Sequence, residues 1–371
     1  MRIGIDAHHL NGKPQGSRTY LLSLIRELAR IATNEELLVY SFDPEETRQL
    51  LGAPGVTHRR VFPASARVRL PLVVPALEIF DRVTLFHSQY ICPPVSAVPE
   101  VVSIHDVLFE THPDLFVGAF SHASVWLIRH SARRARRVLT GSEFSRRSII
   151  EQYGLPEEKV VAIPDAVDRK RFRPLADENE KGDLTRVRDR YKLYRPYILN
   201  VGRIEPRKNL VRLIRAFRRA RENVDPGLEL LLVGKKDFQF EAIDEEMGES
   251  SGAGVRMLGS VPDEDLPALY NLARVFAFPS LVEGFGIPIL ESMACGTPVV
   301  TSRRGSLSEV GGDAVAWVEP EDEDSIASTL ENVLTDTDKA ARLRKQGLER
   351  AKQFRWEDTA QRTLEVYRAC V

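Results

Sequence analysis

The chain has 371 residues, more than one hydrophobic core usually supports, so its length predicts two domains. A hydrophobic fraction of 43% provides apolar material for two cores, and a net charge of -1 argues against a nucleic-acid partner. The three cysteines form no close pair, which argues against a disulfide framework or a zinc site and favours a reducing cytoplasm. The first residues do not resemble a signal peptide, and no apolar run approaches the roughly 18 residues of a membrane-spanning helix.

Short apolar runs rich in β-branched residues alternate along the chain with stretches of helical periodicity. Leu21, Ile25 and Leu28 lie on one face of a helix predicted at residues 18–30, and a second such helix is predicted at 210–221. Strands that alternate with helices predict parallel sheets covered on both faces. The predicted strands span residues 2–6, 37–42, 83–87, 101–105, 137–140, 160–164, 197–201, 229–233, 275–279 and 298–301.

A polar stretch at residues 173–182 separates two series of these runs and indicates a domain boundary. All eight histidines lie at or before position 130, so the two halves also differ in composition. Ligands of parallel α/β sheets bind beyond the carboxyl ends of the strands. Two such sheets in tandem therefore predict a cleft, and the residues that follow each strand are the candidates for a site.

His105 and Asp106 directly follow a predicted strand in the N-terminal half. A histidine at a strand end can polarise a hydroxyl or accept a proton, although a single histidine is more often structural. Asp106 is expected to orient the loop, and Ser142 is expected to cap the next helix. Nearer the N-terminus, the loop at residues 11–20 lies between a strand and a helix.

An arginine-rich segment begins at Arg129 and ends at Arg147, with seven arginines and one glutamate. A solvated helix face is one interpretation. The alternative is contact with an anionic membrane surface or a lipid-pyrophosphate acceptor, which the preceding Trp126 makes reasonable.

Two cations follow the first strand of the second half, in the sequence Gly-Arg-Ile-Glu-Pro-Arg-Lys-Asn at residues 202–209. Arg203 lies at the strand end and Lys208 beside the start of a helix, for which Asn209 is a candidate N-cap. Two cations in this position suit a diphosphate, but both are equally consistent with an ordinary charged surface.

Two acidic triplets, Asp263-Glu264-Asp265 and Asp322-Glu323-Asp324, have the Asp-x-Asp spacing that can hold a divalent metal. Both stand at the start of a predicted helix, where the helix dipole favours acidic residues. We interpret both as helix caps and predict no metal.

A strand, a loop with Glu283-Gly-Phe-Gly, and a short helix that contains Glu291 follow one another at residues 275–296. Glycines before a helix let the backbone approach a ligand, and the first helical N–H groups favour phosphate or hydroxyl groups. Each carboxylate can accept two hydrogen bonds from a vicinal diol, so two carboxylates suit two sugars of one ligand. The alternative is that both glutamates are solvated and the glycines merely turn the chain, which a lone Gly-x-Gly would favour.

The segment from Glu283 to Glu291 resembles the Glu-x7-Glu motif of the family-four retaining glycosyltransferases, which have the GT-B fold. Residues 202–209 are similar to the Gly-Arg…Arg-Lys-Asn motif of that family. The context of His105 and the loop with Gly16 also resemble family segments, although Arg18 replaces the usual second glycine. The resemblance covers nearly the whole chain.

This resemblance implies that Glu283 contacts the donor sugar, Glu291 binds the nucleotide ribose, and Arg203 and Lys208 bind the diphosphate. His105 is implied to lie near the donor sugar. The residues implied in catalysis are His105, Arg203, Lys208 and Glu283. The residues implied in donor binding are Gly16, Arg203, Lys208, Glu283, Gly284, Phe285, Gly286, Ile287 and Glu291.

The implied fold is α/β, with two Rossmann-like domains whose parallel sheets face a central cleft. Residues 1–173 with the C-terminal helix at 355–371 are expected to bind the acceptor, and residues 191–354 the nucleoside-diphosphate sugar. The expected reaction is metal-independent, retaining transfer of a hexose to a hydroxyl of a glycan or lipid-linked acceptor in surface polysaccharide assembly. Similarity to mannosyltransferases favours mannose and GDP-mannose, and no cofactor is expected. The expected location is the cytoplasm, with peripheral contact at the inner face of the membrane.

Two other functions are compatible with the same motifs. One is a nucleotide-sugar 2-epimerase of the same fold, which needs no acceptor. The other is a non-catalytic subunit that only binds sugar nucleotide. Arg18 in place of glycine favours such a subunit, whereas the presence of Lys208, Glu283 and Glu291 argues against a decayed site.

Overall fold

The computed structural model describes residues 1–12, 16–116, 121–175, 181–237, 240–249 and 254–371. Parts of two sequence features, at residues 13–15 of the first loop and 176–180 of the polar stretch, lie outside the described residues. The chain divides into two compact units. The first comprises Met1–Ala166 and Arg355–Val371, and the second comprises Val167–Phe354.

Within its described residues, the first unit forms a seven-stranded parallel sheet in the order β3-β2-β1-β4-β5-β6-β7. The strands are β1 (Arg2–Asp6), β2 (Glu36–Ser41), β3 (Val56–Arg60), β4 (Leu85–Gln89), β5 (Glu100–Ser103), β6 (Arg137–Thr140) and β7 (Val160–Ala162). The helices are α1 (Gly16–Ile31), α2 (Pro44–Leu51), α3 (Ala66–Val68), α4 (Val74–Phe80), α5 (Leu108–Thr111), α6 (His122–Arg134) and α7 (Glu143–Tyr153). A π-helical turn at Arg69–Val73 joins α3 to α4.

The described part of the second unit forms a six-stranded parallel sheet in the order β10-β9-β8-β11-β12-β13. The strands are β8 (Tyr197–Val201), β9 (Glu229–Val233), β10 (Val255–Gly259), β11 (Val275–Phe278), β12 (Val299–Ser302) and β13 (Ala316–Val318). The helices are α8 (Lys181–Tyr191), α9 (Leu210–Val224), α10 (Glu241–Glu249), α11 (Leu266–Leu272), α12 (Ile287–Cys295), α13 (Leu307–Gly311), α14 (Glu323–Thr335) and α15 (Thr337–Ala351). A last helix, α16 (Trp356–Arg368), returns to the first unit. No helix in the described ranges is both long and apolar enough to cross a membrane.

The ten predicted strands are all present, within two residues at either end. Three further strands, β3, β10 and β13, were not predicted, and each lies at an edge of its sheet. Edge strands are only partly covered, and β3 and β10 have no fully buried residue. The central strands are buried because helices cover both faces, which explains the apolar runs of strands such as β9 and β11.

Both acidic triplets stand at helix starts, as predicted, but only one of them supplies a capping side chain. Asp322 accepts a hydrogen bond from the backbone N–H of Asp324 at 2.9 Å and caps α14. Asp265 occupies the N-cap position of α11, but its side chain makes no capping hydrogen bond. Its buried carboxylate accepts hydrogen bonds from Arg186 at 2.7 Å and from the Tyr191 hydroxyl at 2.7 Å. Asp265 therefore ties α8 to the start of α11.

Asn209 occupies the N-cap position of α9, as predicted, but its side chain makes no capping hydrogen bond. Its backbone is left-handed, with φ of 59°, and its amide donates to the carbonyls of Pro279 at 3.0 Å and Pro320 at 2.6 Å. Asn209 therefore joins three segments of the second unit. By contrast, Ser142 caps α7 as predicted, through the Ser145 N–H at 3.0 Å.

A buried chain of hydrogen bonds connects α16 to the sheet of the first unit. The Tyr367 hydroxyl lies 2.6 Å from His87 Nδ1, and His87 Nε2 lies 2.8 Å from Ser103 Oγ, which contacts the Tyr20 hydroxyl at 3.1 Å. Burial lowers the pKa of His87 to about 3, so its ring is neutral. A neutral ring satisfies the chain when Tyr367 donates to Nδ1 and Nε2 donates to Ser103.

Substitution of Tyr367 by phenylalanine should lower the free energy of unfolding by about 1–3 kcal/mol, because it leaves His87 Nδ1 buried without a donor. Urea denaturation followed by tryptophan fluorescence measures this, since Trp126 and Trp356 both lie in the first unit. The exposed Tyr194 provides the control variant Tyr194→Phe. Equal transition midpoints for the two variants would contradict a stabilising role for this contact.

Candidate active site

A turn of 3-10 helix, Pro206–Lys208, follows β8 and carries two buried cations, Arg207 and Lys208. Pro206 suits its first position because its fixed φ is helical and its missing N–H has no helical partner there. The left-handed Asn209 then redirects the chain into α9. The carbonyl of Arg207 accepts a hydrogen bond from the N–H of Leu281 at 2.9 Å, which fixes this turn against the loop after β11.

The loop after β11 carries Glu283 and ends at Gly286, the residue before α12. Gly286 has φ of 110°, a conformation that favours glycine. Gly305 packs against the loop so closely that a Cβ atom there would lie 2.4 Å from the carbonyl oxygen of Glu283. The next residue, Ser306, donates to the same oxygen through its N–H at 3.0 Å and its hydroxyl at 2.9 Å. These contacts hold the backbone of Glu283 in place.

The two segments meet in a buried cluster of four charged side chains. Lys208 Nζ donates to Glu283 Oε1 at 2.7 Å and lies 4.4 Å from the centre of the Phe278 ring. Arg207 Nη1 donates to the other carboxylate oxygen of Glu283. The Nε and Nη2 atoms of Arg207 donate to Glu205 Oε1 at 3.0 and 2.6 Å. Two cations and two carboxylates therefore balance one another away from water.

Electrostatics keep Glu283 ionised. Burial raises the pKa of this carboxyl, but the charges of Arg207 and Lys208 outweigh burial and lower the pKa to about 2. For Lys208, burial and the neighbouring Arg207 lower the pKa, while Glu283 acts in the opposite direction. The hydrogen-bonded geometry favours the ionised pair at neutral pH. An anionic ligand that reaches Lys208 must therefore compete with Glu283 for it.

Arg203 contacts this cluster only through Glu205 and does not reach Glu283 in the structure. Its exposed guanidinium donates to Asp237 at 2.6 Å, and its Nη2 lies 3.4 Å from Glu205. Arg207, which the sequence analysis did not select, occupies the place beside Glu283. Only its position next to Lys208 in the Arg-Lys-Asn motif distinguished it from other arginines. The predicted role of Arg203 at the donor phosphates stays a prediction.

Glu291 lies on α12 with its side chain against α11. The Tyr270 hydroxyl donates to Glu291 Oε2 at 2.9 Å, and burial raises the pKa of the carboxyl to about 7. Glu291 therefore titrates near neutral pH, whereas Glu283 does not. The other predicted donor-binding residues of this region, Gly284, Phe285, Gly286 and Ile287, form the end of the loop and the start of α12.

In the first unit, His105 lies just beyond β5, as predicted. Its Nε2 donates to Gln89 Oε1 at 3.1 Å, and its ring packs edge-on against Tyr20 at 4.9 Å. Burial, and to a lesser degree the charge of His9, lowers the pKa of His105 to about 4, so the neutral ring has Nδ1 available as an acceptor. Asp106 accepts from the N–H of Leu108 at 3.1 Å, which fits its predicted role in the loop.

Gly16 begins α1, and a Cβ atom there would meet nothing within 4 Å, so packing in the described residues does not require glycine. Arg18, two residues later, donates through Nε to the carbonyl of Leu10 at 3.2 Å. Part of its guanidinium is thus used within the first unit. Contact of either residue with a donor stays a prediction.

Several arginines of the 129–147 segment form ion pairs or hydrogen bonds with other residues of the first unit. Arg129 pairs with Glu110 and Arg134 with Glu100. Arg146 Nε donates to the carbonyl of Val160 at 2.8 Å. The segment therefore offers less free positive charge than its composition predicts.

Comparison with known proteins agrees with this geometry. Residues 186–350 match the family model for glycosyl transferases group 1, and residues 14–171 match that for glycosyltransferase family 4. The O-antigen chain mannosyltransferase B of Escherichia coli is 32% identical, over 95% of this chain and 96% of that protein. The chain belongs to the group 1 glycosyltransferases.

A second relative of this glycosyltransferase, the serotype-specific mannosyltransferase WbdA of Escherichia coli, is 28% identical over 91% of the chain. The matched region is only 42% of that longer protein. Among solved structures, Anabaena HepE in complex with UDP and glucose superposes with a TM-score of 0.78 at 22% identity, over 100% of both chains. The two parallel α/β sheets and these similarities confirm the predicted GT-B fold.

If Lys208 has its predicted role at the donor phosphates, its replacement by methionine removes a buried cation there and should reduce kcat of this glycosyltransferase by about 100-fold or more. Methionine nearly preserves the volume of the side chain. Steady-state kinetics measure the change, and the exposed Lys345→Met is the matched control. Near-normal turnover by a folded Lys208→Met variant would refute the assignment.

Replacement of Glu291 by glutamine should raise the thermal stability at pH above 7. The pKa of Glu291 in the folded chain, about 7, lies above its ordinary value of 4.5, so the folded state binds the proton more tightly. The contribution of Glu291 to the free energy of unfolding is therefore greatest at acidic pH and falls as the pH rises towards 7. Glutamine removes that loss.

Thermal melts of this variant across the pH range measure the effect, with the exposed Glu264→Gln as control. We expect the wild type and Glu291→Gln to converge at acidic pH and to separate above neutrality. Parallel melting curves at every pH would show that Glu291 does not titrate as described.

Proposed function

We propose that this glycosyltransferase moves mannose from a nucleoside-diphosphate mannose to a hydroxyl of a glycan or lipid-linked acceptor in surface polysaccharide assembly. The observation that carries this proposal is the 32% identity with O-antigen chain mannosyltransferase B over nearly the full length of both chains. GDP-mannose is the first donor to test. The relatives described above are named as mannosyltransferases, which favours transfer over the 2-epimerase and the non-catalytic subunit.

The buried cluster of the second unit supports donor binding there. Lys208 is held in place by Glu283 and Phe278, so its charge is already oriented before a ligand arrives. In the proposed complex, diphosphate oxygens replace Glu283 as partners of Lys208, with Arg203 at the outer edge. Glu283 then accepts hydrogen bonds from hydroxyls of the donor sugar, and Glu291 accepts them from the ribose.

The proposed reaction retains the configuration of the anomeric carbon. The acceptor hydroxyl oxygen forms a bond to this carbon while the bond to the diphosphate oxygen breaks, and the leaving diphosphate takes the hydroxyl proton. Lys208 and Arg203 stabilise the charge that develops on the diphosphate. His105 is proposed to orient the donor sugar through its neutral ring. Because side-chain cations supply this stabilisation, the proposed reaction needs no metal ion.

A donor panel tests the proposal. Thermal shifts with GDP-mannose, GDP-glucose, UDP-glucose and UDP-galactose should show the largest stabilisation with GDP-mannose. Transfer to a mannose-terminated oligosaccharide should then yield an α-linked product by NMR, at a rate that a metal chelator leaves unchanged. The exposed Lys345→Met variant should behave like the wild type in both assays.

Other outcomes of this experiment refute the proposal in distinct ways. An altered sugar in the nucleotide pool without acceptor identifies an epimerase. Donor binding without transfer or hydrolysis identifies a non-catalytic subunit. A β-linked product refutes retention, and loss of transfer with chelator refutes metal independence.

A further inference from the structure

The helical stretch from α3 through the π-helical turn to α4 exposes large apolar side chains. Leu72 is 65% exposed, Ile79 67% and Phe80 79%, and Val68 is also exposed. Positions 68, 72, 76, 79 and 80 follow a spacing of three or four residues, and all of them are apolar and exposed. An outward helix face normally carries polar residues, so this face is unusual for a surface in contact only with water.

Two neighbouring segments extend this surface. Phe62, just before α3, is 73% exposed, and the adjacent Val61 packs in the same core as Val74 of α4. Val95 is also exposed, on a loop that lies against α4 because Ser96 donates to Glu78 at 2.9 Å. We call this set the apolar stripe; its members are Phe62, Val68, Leu72, Ile79, Phe80 and Val95.

Within residues 59–82, which contain most of the apolar stripe, every exposed charged side chain is an arginine. Arg60, Arg67 and Arg82 are exposed between residues 59 and 82. Both carboxylates of the same stretch, Glu78 and Asp81, are buried, and Asp81 pairs with Arg59 at 2.8 Å. The exterior of this stretch thus presents apolar groups and arginines without an exposed carboxylate.

We propose that the apolar stripe docks on the surface of an anionic lipid bilayer. Apolar side chains bordered by arginines match the acyl boundary and the phosphate groups of such a surface, in both polarity and charge. A protein partner would need acidic groups around an apolar recess, because the stripe is the outer face of a helix. The docking surface lies wholly in the first unit, whereas the cluster around Lys208 belongs to the second.

This surface differs from the 129–147 segment that composition alone indicates. There, Arg129 and Arg134 are paired with buried carboxylates, whereas Arg60 and Arg67 make no ion pair among the described residues. The two sites can therefore be separated by substitution. Trp126, which stacks on His130 next to that segment, provides an exposed apolar control.

Co-sedimentation of the full chain with vesicles tests the proposal. Binding should be strong with vesicles that contain phosphatidylglycerol and weak with phosphatidylcholine alone. The variant Leu72→Gln/Phe80→Gln should bind at least about tenfold more weakly, because two apolar side chains no longer enter the interface. Arg60→Glu/Arg67→Glu should lose the preference for phosphatidylglycerol. The controls Trp126→Gln and Arg147→Glu should bind like the wild type.

Several results would overturn the docking site. These are a wild-type chain that does not sediment with phosphatidylglycerol vesicles, stripe variants that bind as well as the wild type, and loss of binding in the control variants alone. Self-association that light scattering detects in the wild type and not in Leu72→Gln/Phe80→Gln would instead assign the stripe to a contact between two copies. Equal thermal stability of the variants excludes misfolding. Vesicle binding needs no sugar transfer, so failure of the proposed reaction leaves this test intact.

Discussion

The carboxylate of Glu283 lies between the ammonium group of Lys208 and the guanidinium of Arg207, and all three side chains are buried. A charge removed from water costs several kcal/mol unless a partner and hydrogen bonds compensate it. Each member of this cluster therefore depends on the others, and Glu205 completes the compensation through Arg207. The second unit arranges its loops so that these four groups meet.

Hydrogen bonds to backbone carbonyls hold these loops in place. Asn209 joins the turn after β8 to the carbonyls of Pro279 and Pro320, and Leu281 donates to the carbonyl of Arg207. Ser306, on a fourth segment after β12, donates to the carbonyl of Glu283. Because these positions are fixed without ligand, the sugar nucleotide of the proposed complex would meet charged partners that are already oriented. Preorganisation of this kind reduces the reorganisation that accompanies charge development in a transition state.

The sequence alone predicted the buried central strands well, but it missed three strands at the edges of the sheets. Central strands such as β8 and β11 are covered on both faces, so their apolar runs identify them. The missed strands β3, β10 and β13 are edges, where partial exposure permits polar residues and short lengths. The ion pair of Asp265 was missed for a related reason. The helix dipole explains an acidic residue at a helix start, but it does not predict an ion pair with Arg186, which is 79 positions away in the sequence.

The residues of the candidate active site were also predicted only in part. Lys208, Glu283 and Glu291 were identified because they lie in motifs at strand ends, and the structure brings Lys208 and Glu283 together. Arg207 was missed because the sequence alone does not show which arginine of the motif, Arg203 or Arg207, turns inward. The sequence also did not indicate that Leu72 and Phe80 are exposed, because a helix with apolar residues on several faces is normally a buried helix.

The contact between Tyr367 and His87 has a consequence for how the chain is made. The two residues are 280 positions apart, and the entire second unit is synthesised between them. On the ribosome, the first unit emerges with His87 in place but without helix α16, while domains that are complete can already fold. The first unit therefore completes its hydrogen-bonded interior only after helix α16 has been synthesised, when the second unit has already had time to form.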